Sequence, residues 1–502
     1  MTPRDDPQPA SAVREHLSIA ADELVAASTS LFASSFRLAS VAAHDDGDVL
    51  RVVYVFVARA PDRRTELQVR LDPANPAVPS LGRLSFPASR FEREVHDLFG
   101  IVPIGHPFLR PLVLHQHWPK EWHPMRHQVG EPPPMRADAG AFPFVEVQGP
   151  GVYEIPVGPV HAGLIEPGHF RFSVVGETIL KMKARLWFVH RGVERLFEGR
   201  DVEAAVPLAE RISGDSAIGH NLAYCLAVEE ACGIELGEEA ARLRALLLEL
   251  ERVYNHVADI GALCNDVGFG LAQARALTLR EVLLRLNAGV TGHRLLRGAI
   301  GPGGVSLRRL PTTTELAEVG RRFEELVELA TSNTVVMDRF LGTAALARDD
   351  AEGTGTLGVI ARASGLAADA RADHPFVDIG PSFRTVLEET GDVMARFSVR
   401  VGEVRVSLAV IDDLARSASA LGVTAPPPPR VGGSGIGIVE GWRGAIVHRV
   451  EVDRAGTLLR CKVVDPSFLN WPALSVALAD TIVPDFPLAN KSFNLSYAGN
   501  DL

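Results

Sequence analysis

Two histidines, a carboxylate and an arginine crowd into the segment VGPVHAGLIEPGHFRFSVVG (157–176), as His161, Glu166, His169 and Arg171. Histidine titrates closest to neutral pH, and a neighbouring carboxylate raises its basicity, so such a cluster can hold or pass a proton. The competing reading is structural: a histidine in a Gly/Pro-constrained turn more often satisfies backbone groups. A second cluster, LWFVHRGVERLFEGRD (186–201), places His190, Arg191 and Glu194 where they could share one helix face. The segment ERISGDSAIGHNLAYCLAVEEACG (210–233) adds Arg211, Ser213, Ser216 and His220, and the tail SFNLSYAGNDL (492–502) adds Ser496, Tyr497 and Gly499.

Sulfur chemistry is restricted by inventory. The four cysteines, Cys225, Cys232, Cys264 and Cys461, form no CxxC pair and are too few for a disulfide scaffold in 502 residues. They read as buried thiols in a reducing compartment, and the chain by itself cannot hold an iron–sulfur cluster through the usual thiolate sets. A net charge of −11 argues against nucleic acid as a main partner, because phosphate binding is driven by Lys and Arg. No apolar run approaches the roughly 18 residues needed to cross a bilayer. The start, MTPRDDPQPASAVREHL, lacks the basic-then-apolar pattern of a secretory signal, so membrane association is expected through partner subunits.

The elements that must position these groups follow from periodicity. Residues 15–125 read as a small α/β domain. Thr65–Asp72 alternates as a half-buried strand, with Leu67, Val69 and Leu71 on one face and Glu66, Gln68 and Arg70 on the other, and the β-branched run Leu50–Ala58 suits a central strand. Residues 127–150, rich in Pro and Gly, look like a linker between domains at 1–126 and 151–502. A β-rich entry, Tyr153–Leu180, precedes a long helical region. There Leu243, Leu246, Leu250, Val253, Val257 and Ile260 recur at helical spacing, and further helical patterns occupy about 202–232, 276–299, 313–340 and 384–418. APPPPRVGGSGIG (425–437) is a loop by composition, and strand-like segments at Ile446–Val452 and Leu458–Val464 close the chain. The fold class is therefore α+β: a small N-terminal α/β domain, then a large helical-bundle domain with β-rich entry and closing segments.

As strings these segments say more. FEREVHDLFGIVPIGHPFLRPLVL (91–114) closely resembles the signature of the C-type protein of the complex I hydrophilic arm, a scaffold without a cofactor. The 157–176 and 186–201 segments, GPGGV (301–305), GVIARASGLAADARADHPF (358–376), GDVMARFSVRVGEV (391–404) and GIVEGWRGAIVHRVEVD (437–453) resemble two related groups. One is the D-type, quinone-site protein of complex I, here fused to the C-type part. The other is the large subunits of energy-converting nickel–iron hydrogenases, the formate hydrogenlyase type. EPGHFRF and DPSFLNWPAL (465–474) lie closer to the hydrogenases. The resemblance runs through residues 50–125 and 155–502 in the same order.

The resemblance implies a nickel–iron large-subunit-like fold and a set of site positions. The family's first metal box, RxCGxCxxxH, keeps Arg211, Gly214 and His220 here, but Ser213 and Ser216 stand at the cysteine positions. In the second box Ser496 and Gly499 stand where thiolates would be. Hydroxyls are poor substitutes for thiolates at a soft-metal site, so no metal is expected and hydrogen activation is not implied. The quinone-binding tyrosine of complex I falls on Gly214. The family's quinone-site histidine and its aspartate partner match His169 and Asp266. His161, Glu166, Arg171, Arg211, His220, Glu440 and Arg443 are expected around the cavity.

The implied function is that of a peripheral component on the cytoplasmic side of the cell membrane. Its cavity would lie next to the iron–sulfur cluster of a small partner subunit and serve quinone-linked electron transfer. Ferredoxin-like and membrane antiporter-like proteins make up the other expected partners. No cofactor is expected on this chain alone, with quinone as the ligand to test. The alternative is a redox-silent structural and coupling subunit that has lost the nickel–iron site.

Overall fold

The run Leu50–Ala58 is buried along nearly its whole length, as a strand flanked on both sides must be. In the computed structural model, which describes residues 13–59, 61–127, 129–137, 140, 142–162, 165–424 and 431–502, it is strand β3 of a four-stranded sheet. The others are β1 (Val13–Ile19), β2 (Phe36–Asp45) and β4 (Arg63–Leu71), in the order β1-β4-β3-β2. β2, β3 and β4 form an antiparallel meander, and β1 adds parallel to β4. Leu67, Val69 and Leu71 face the core, but Glu66 is buried too, held by Arg14 at 2.8 Å. Helix α1 (Leu24–Ala33) precedes β2, and α2 (Phe86–Phe99) packs on it.

The charged residues of α2 are structural. Glu92 accepts from Ser80 Oγ and Leu81 N, both at 2.5 Å, Asp97 accepts from Leu112 N at 2.7 Å, and Arg93 donates to Arg110 O at 2.7 Å. These residues lie in the first of two compact units, which comprises the chain to Leu112, Pro119–Pro134 and Ala370–Asp378. The second unit comprises Val113–Trp118, Met135–Asp369 and Ile379–Leu502.

The second unit opens with an antiparallel sheet of β5 (Val152–Val157), β6 (His169–Val175) and β7 (Thr178–Arg185). The segment read as one helical stretch over 202–232 contains helix α3 (Ala217–Cys232) and, before it, an irregular turn at 210–216 that carries the site. α4 (Glu238–Asp266) buries the expected leucine stripe and packs against α5 (Gly270–Thr291) and α7 (Val393–Ser417). The pattern over 313–340 divides into α6 (Thr313–Thr331) and a short helix, Thr334–Phe340, because Asn333 caps the second by accepting from Val335 N and Val336 N. Among the described residues no helix is long and apolar enough to cross a membrane.

One expectation is corrected. Residues 425–430 lie outside the described residues, but Gly433–Gly441 is not loop; it is strand β8, paired with β9 (Gly444–Val452), which pairs with β10 (Leu458–Val464). Its glycines recur every second residue, and a Cβ on Gly433, Gly435 or Gly437 would meet the carbonyls of Ala231, Ala227 and Ala223 at 2.7, 1.9 and 1.8 Å. Two strand residues advance about 6.6 Å and four helix residues about 6 Å. The glycine face of β8 therefore runs in step with the alanine stripe of α3, and backbone meets backbone. A composition typical of loops encodes a close helix–strand contact.

Candidate functional site

That contact fixes the first two parts of the site. α3 begins at the 210–216 turn, and the β8–β9 hairpin ends in the two-residue turn Trp442-Arg443 beside it. The third part is the tail: α9 (Phe486–Phe493) and α10 (Tyr497–Asp501), which follow α8 (Pro466–Ala477). The turn and the tail meet, with Ser213 Oγ 2.9 Å from Ser496 Oγ. Arg191 staples them together, donating to the carbonyls of Arg211, Ile212 and Ala498 at 3.2, 2.7 and 3.1 Å. His190 Nδ1 adds a contact to Asp501 O at 2.6 Å.

Beside this junction lies a cavity of about 720 Å³. Val157, Ile165, Phe170, Phe486 and Pro487 give it an apolar side, and His161, Glu166, Ser213, Asp215, Asp266, Arg443, Asn490 and Lys491 give it a polar one. On its polar side Asp215 receives Arg443 through both terminal nitrogens, each at 2.7 Å, and the hydroxyls of Ser213 and Ser216 at 3.0 and 3.3 Å. Burial alone would raise the Asp215 pKa, but the Arg443 guanidinium outweighs it and holds the carboxyl below its usual range. Arg443 also donates Nε to Asn494 O at 2.6 Å and lies over the Trp442 ring.

The expected residues divide by direction. His161, Glu166, Asp266 and Arg443 line the cavity with Ser213 and Ser496. His161 Nε2 lies 2.7 Å from Gly168 O, and Glu166 accepts from Ala498 N at 3.1 Å. Asp266 is raised by burial and partly drawn back by the Lys491 ammonium. His169 is not among the lining residues; its Nδ1 contacts Gly158 O at 3.1 Å and its ring packs on Phe144. Arg171 reaches Glu154 at 3.3 Å, and Arg211 is exposed, donating to Pro207 O at 2.7 Å.

His220 and Glu440 belong to buried networks behind the cavity. His220 is fully enclosed, with Nε2 3.0 Å from Asp465 Oδ2 and Nδ1 3.1 Å from His448 Nε2. Burial would raise Asp465, but the hydrogen bond from His220 lowers it, and burial keeps His448 neutral. Gly499 packs against the same carboxylate, since a Cβ there would fall 2.4 Å from Asp465 Oδ2. Glu440 pairs with Arg362 at 2.7 Å, inside a core where Glu403 also binds Arg362 and His256. The four cysteines are buried, and burial drives their thiols upward, Cys264 to about 12. None is among the residues lining the cavity.

Asp215, Lys491 and Asn494 join the site without having been marked out by sequence pattern, and Tyr497 joins it away from the position of the family's tyrosine. Asp215 had a signal, lying between the two serines of the first box. Lys491 and Asn494 had none, since a polar residue near a chain end looks like solvated surface.

Comparison with known proteins bears on most of the chain. Residues 17–133 match the family described as "Respiratory-chain NADH dehydrogenase, 30 Kd subunit", residues 266–426 its "49 Kd subunit", and residues 191–264 "Nickel-dependent hydrogenase". Formate hydrogenlyase subunit 5 of Escherichia coli is 33% identical over 87% of this chain and 79% of its own length. Hydrogenase-4 component G of the same organism is 32% identical over 82% and 73%. The C/D subunit of the NADH-quinone oxidoreductase of Phocaeicola vulgatus is 30% identical over 68% and 70%. A chain in the structure of the membrane-bound sulfane sulfur reductase, an archaeal respiratory membrane complex, superposes with a TM-score of 0.64 at 25% identity, over 70% of this chain and 99% of that one.

Proposed function

The chain belongs to the family of fused complex I 30 kDa/49 kDa-like subunits that includes formate hydrogenlyase subunit 5, and from that we propose that its cavity passes electrons from a partner's iron–sulfur cluster to a quinone. It is a subunit of a membrane-bound, complex I-like and hydrogenase-related assembly. In our reading it sits peripherally on the cytoplasmic face, held by a small iron–sulfur subunit, a ferredoxin-like subunit and antiporter-like membrane subunits.

One observation carries this reading: the turn at 210–220 and the C-terminal tail meet beside a single cavity of mixed apolar and polar lining. That lining suits a flat ring with polar edges. The donor set does not suit a nickel–iron centre. Where the family has thiolates this chain has two serine hydroxyls bonded to each other, a third serine held by Asp215 and Trp442, and a glycine whose Cβ position is filled by Asp465. The nickel–iron site is, in this reading, lost, and the cavity is left for an organic acceptor.

Here the chain's own residues bind, orient and protonate. Asp266, carried at the end of α4, is the cavity-facing acid; partial burial pushes its carboxyl upward and Lys491 draws it back, and it is the group assigned to relay protons between solvent and the cavity. His169 holds Gly158 O and is not among the residues lining the cavity, so we assign the histidine's share of that step to His161, which is. A quinone accepting two electrons, one at a time from the cluster, takes up two protons, and both C=O groups become C–OH.

The test is the intact complex purified anaerobically, assayed for nickel and for reduction of a soluble quinone by a chemical donor. Quinone reduction without stoichiometric nickel, impaired at least tenfold by Asp266→Asn, is expected. Stoichiometric nickel, or turnover with a sulfane-sulfur compound and none with quinone, refutes the assignment. The second reading, a redox-silent coupling role, is favoured by the Asp215–Arg443–Asn494 network, which satisfies itself without a ligand. It predicts no turnover with either acceptor.

A further inference from the structure

The polar groups of the cavity can be sorted by what already occupies them. Arg443 spends both terminal nitrogens on Asp215 and its Nε on Asn494 O. Glu166 is taken by Ala498 N, His161 by Gly168 O, and Ser213 and Ser496 by one another. Four lining groups remain without such a bond among the described residues: the acid Asp266, the Asn490 amide, and two donors from the tail, Lys491 and Tyr497. Lys491, half-buried near the end of α9, has no hydrogen bond or ion pair, although it is close enough to Asp266 to act on its charge. Tyr497, only 7% exposed, has a hydroxyl beside the Asn490 side chain but no well-formed hydrogen bond among the described residues.

Leaving a donor unsatisfied in a buried position costs free energy, and a lysine facing a cavity carries three donors. Both groups come from one short stretch of the tail, and both are cavity walls.

We propose that the tail segment 490–498 is the acceptor-recognising element, with Lys491 as the cation that binds a carbonyl oxygen of the quinone and Tyr497 as a second donor. This rests on the quinone reading above and deepens it. The substrate class is a ring bearing acceptor oxygens at its edge. As the cluster delivers two electrons, negative charge builds on the oxygen held by Lys491, where an ammonium stabilises it most. The two protons come from solvent, passed to the ring oxygens by way of Asp266 and Lys491. Arg443 does not perform this role, because Asp215 already neutralises it.

The experiment uses the intact complex carrying Lys491→Met, Lys491→Arg or Tyr497→Phe. It measures the KM and kcat for a soluble quinone and, separately, the Kd of a non-reducible hydroxyquinoline analogue. Lys491→Met should raise both KM and Kd tenfold or more, the loss of one charge-assisted hydrogen bond. Lys491→Arg should keep both within about threefold, and Tyr497→Phe should raise Kd by a smaller factor. Lys491 makes no hydrogen bond or ion pair among the described residues, so its replacement should leave the fold intact, checked by an unchanged melting temperature.

A Lys491→Met complex with wild-type KM and Kd overturns the assignment of Lys491 and leaves the quinone reading standing. A wild-type complex that neither binds the analogue nor reduces quinone overturns both.

Discussion

Replacing Asp215 by asparagine tests whether the junction of turn and tail is held by one carboxylate. Asp215 takes both arms of Arg443 at 2.7 Å and the hydroxyls of Ser213 and Ser216. Asparagine keeps one acceptor oxygen but turns an NH2 toward an Arg443 nitrogen, donor against donor, and takes from the buried guanidinium its bonded counter-charge, leaving it Asp465 and Asp259. Arg443 is buried but Asp215 is 38% exposed, so solvent screening reduces the cost of breaking the pair to about 1.5 kcal/mol, and local opening should rise roughly tenfold. Arg443 also anchors Asn494, and Ser213 contacts Ser496, so the loss should spread to the tail.

Hydrogen exchange read by mass spectrometry on peptides covering 211–222 and 492–502 measures both regions. Asp215→Asn should speed exchange in the two peptides together, and the Asp215→Leu/Arg443→Met pair, which removes both charges, should recover much of the protection. A change below about threefold, or one confined to the turn, refutes the argument. Acid gives a further check. Arg443 lowers the folded pKa of Asp215 below the ordinary 3.8, so its contribution is complete above that value and is lost as pH falls through the lower folded one.

Other outcomes follow from the same geometry. Gly437→Ala should lower stability by about 3 kcal/mol, because its Cβ would lie 1.8 Å from Ala223 O, whereas Gly214→Ala, with no described atom within 4 Å, should be neutral; equal melting temperatures would contradict the close-packing account. Gly214→Trp should leave stability unchanged while blocking the cavity, so undiminished binding of the quinone analogue would place the ligand elsewhere. Glu251, raised to about 8 by burial despite hydrogen bonds from Ile218 N and Gly219 N, keeps a proton in the fold that the unfolded chain releases near 4.5. Its contribution to stability therefore falls by about 1.4 kcal/mol per pH unit across that window, and Glu251→Gln should gain on the wild type as pH rises from 5 to 8. Parallel stability curves would show that Glu251 is ionised throughout.

The sequence alone settled what depends on local pattern and inventory. The helix at Glu238–Asp266 and the strands at Leu50–Ala58 and Leu458–Val464 were legible because burial imposes a repeat of 3.6 or 2 residues whatever the neighbours are. The oxygen donors and glycine at 213, 216, 496 and 499 were legible because residue identity is local information. Family membership was legible for the same reason, block by block.

Only the tertiary structure decided direction and pairing. Arg211 faces out while Asp215, four residues on, faces the cavity, and His161 lines the wall that His169 was expected to line. The Gly-rich stretch beginning at 433 became a strand because α3 lies against it, and Lys491 became a cavity cation because α9 folds back beside the end of α4. Each outcome rests on a partner far away in the chain, such as the 283 positions between Ser213 and Ser496, and no local periodicity carries that information.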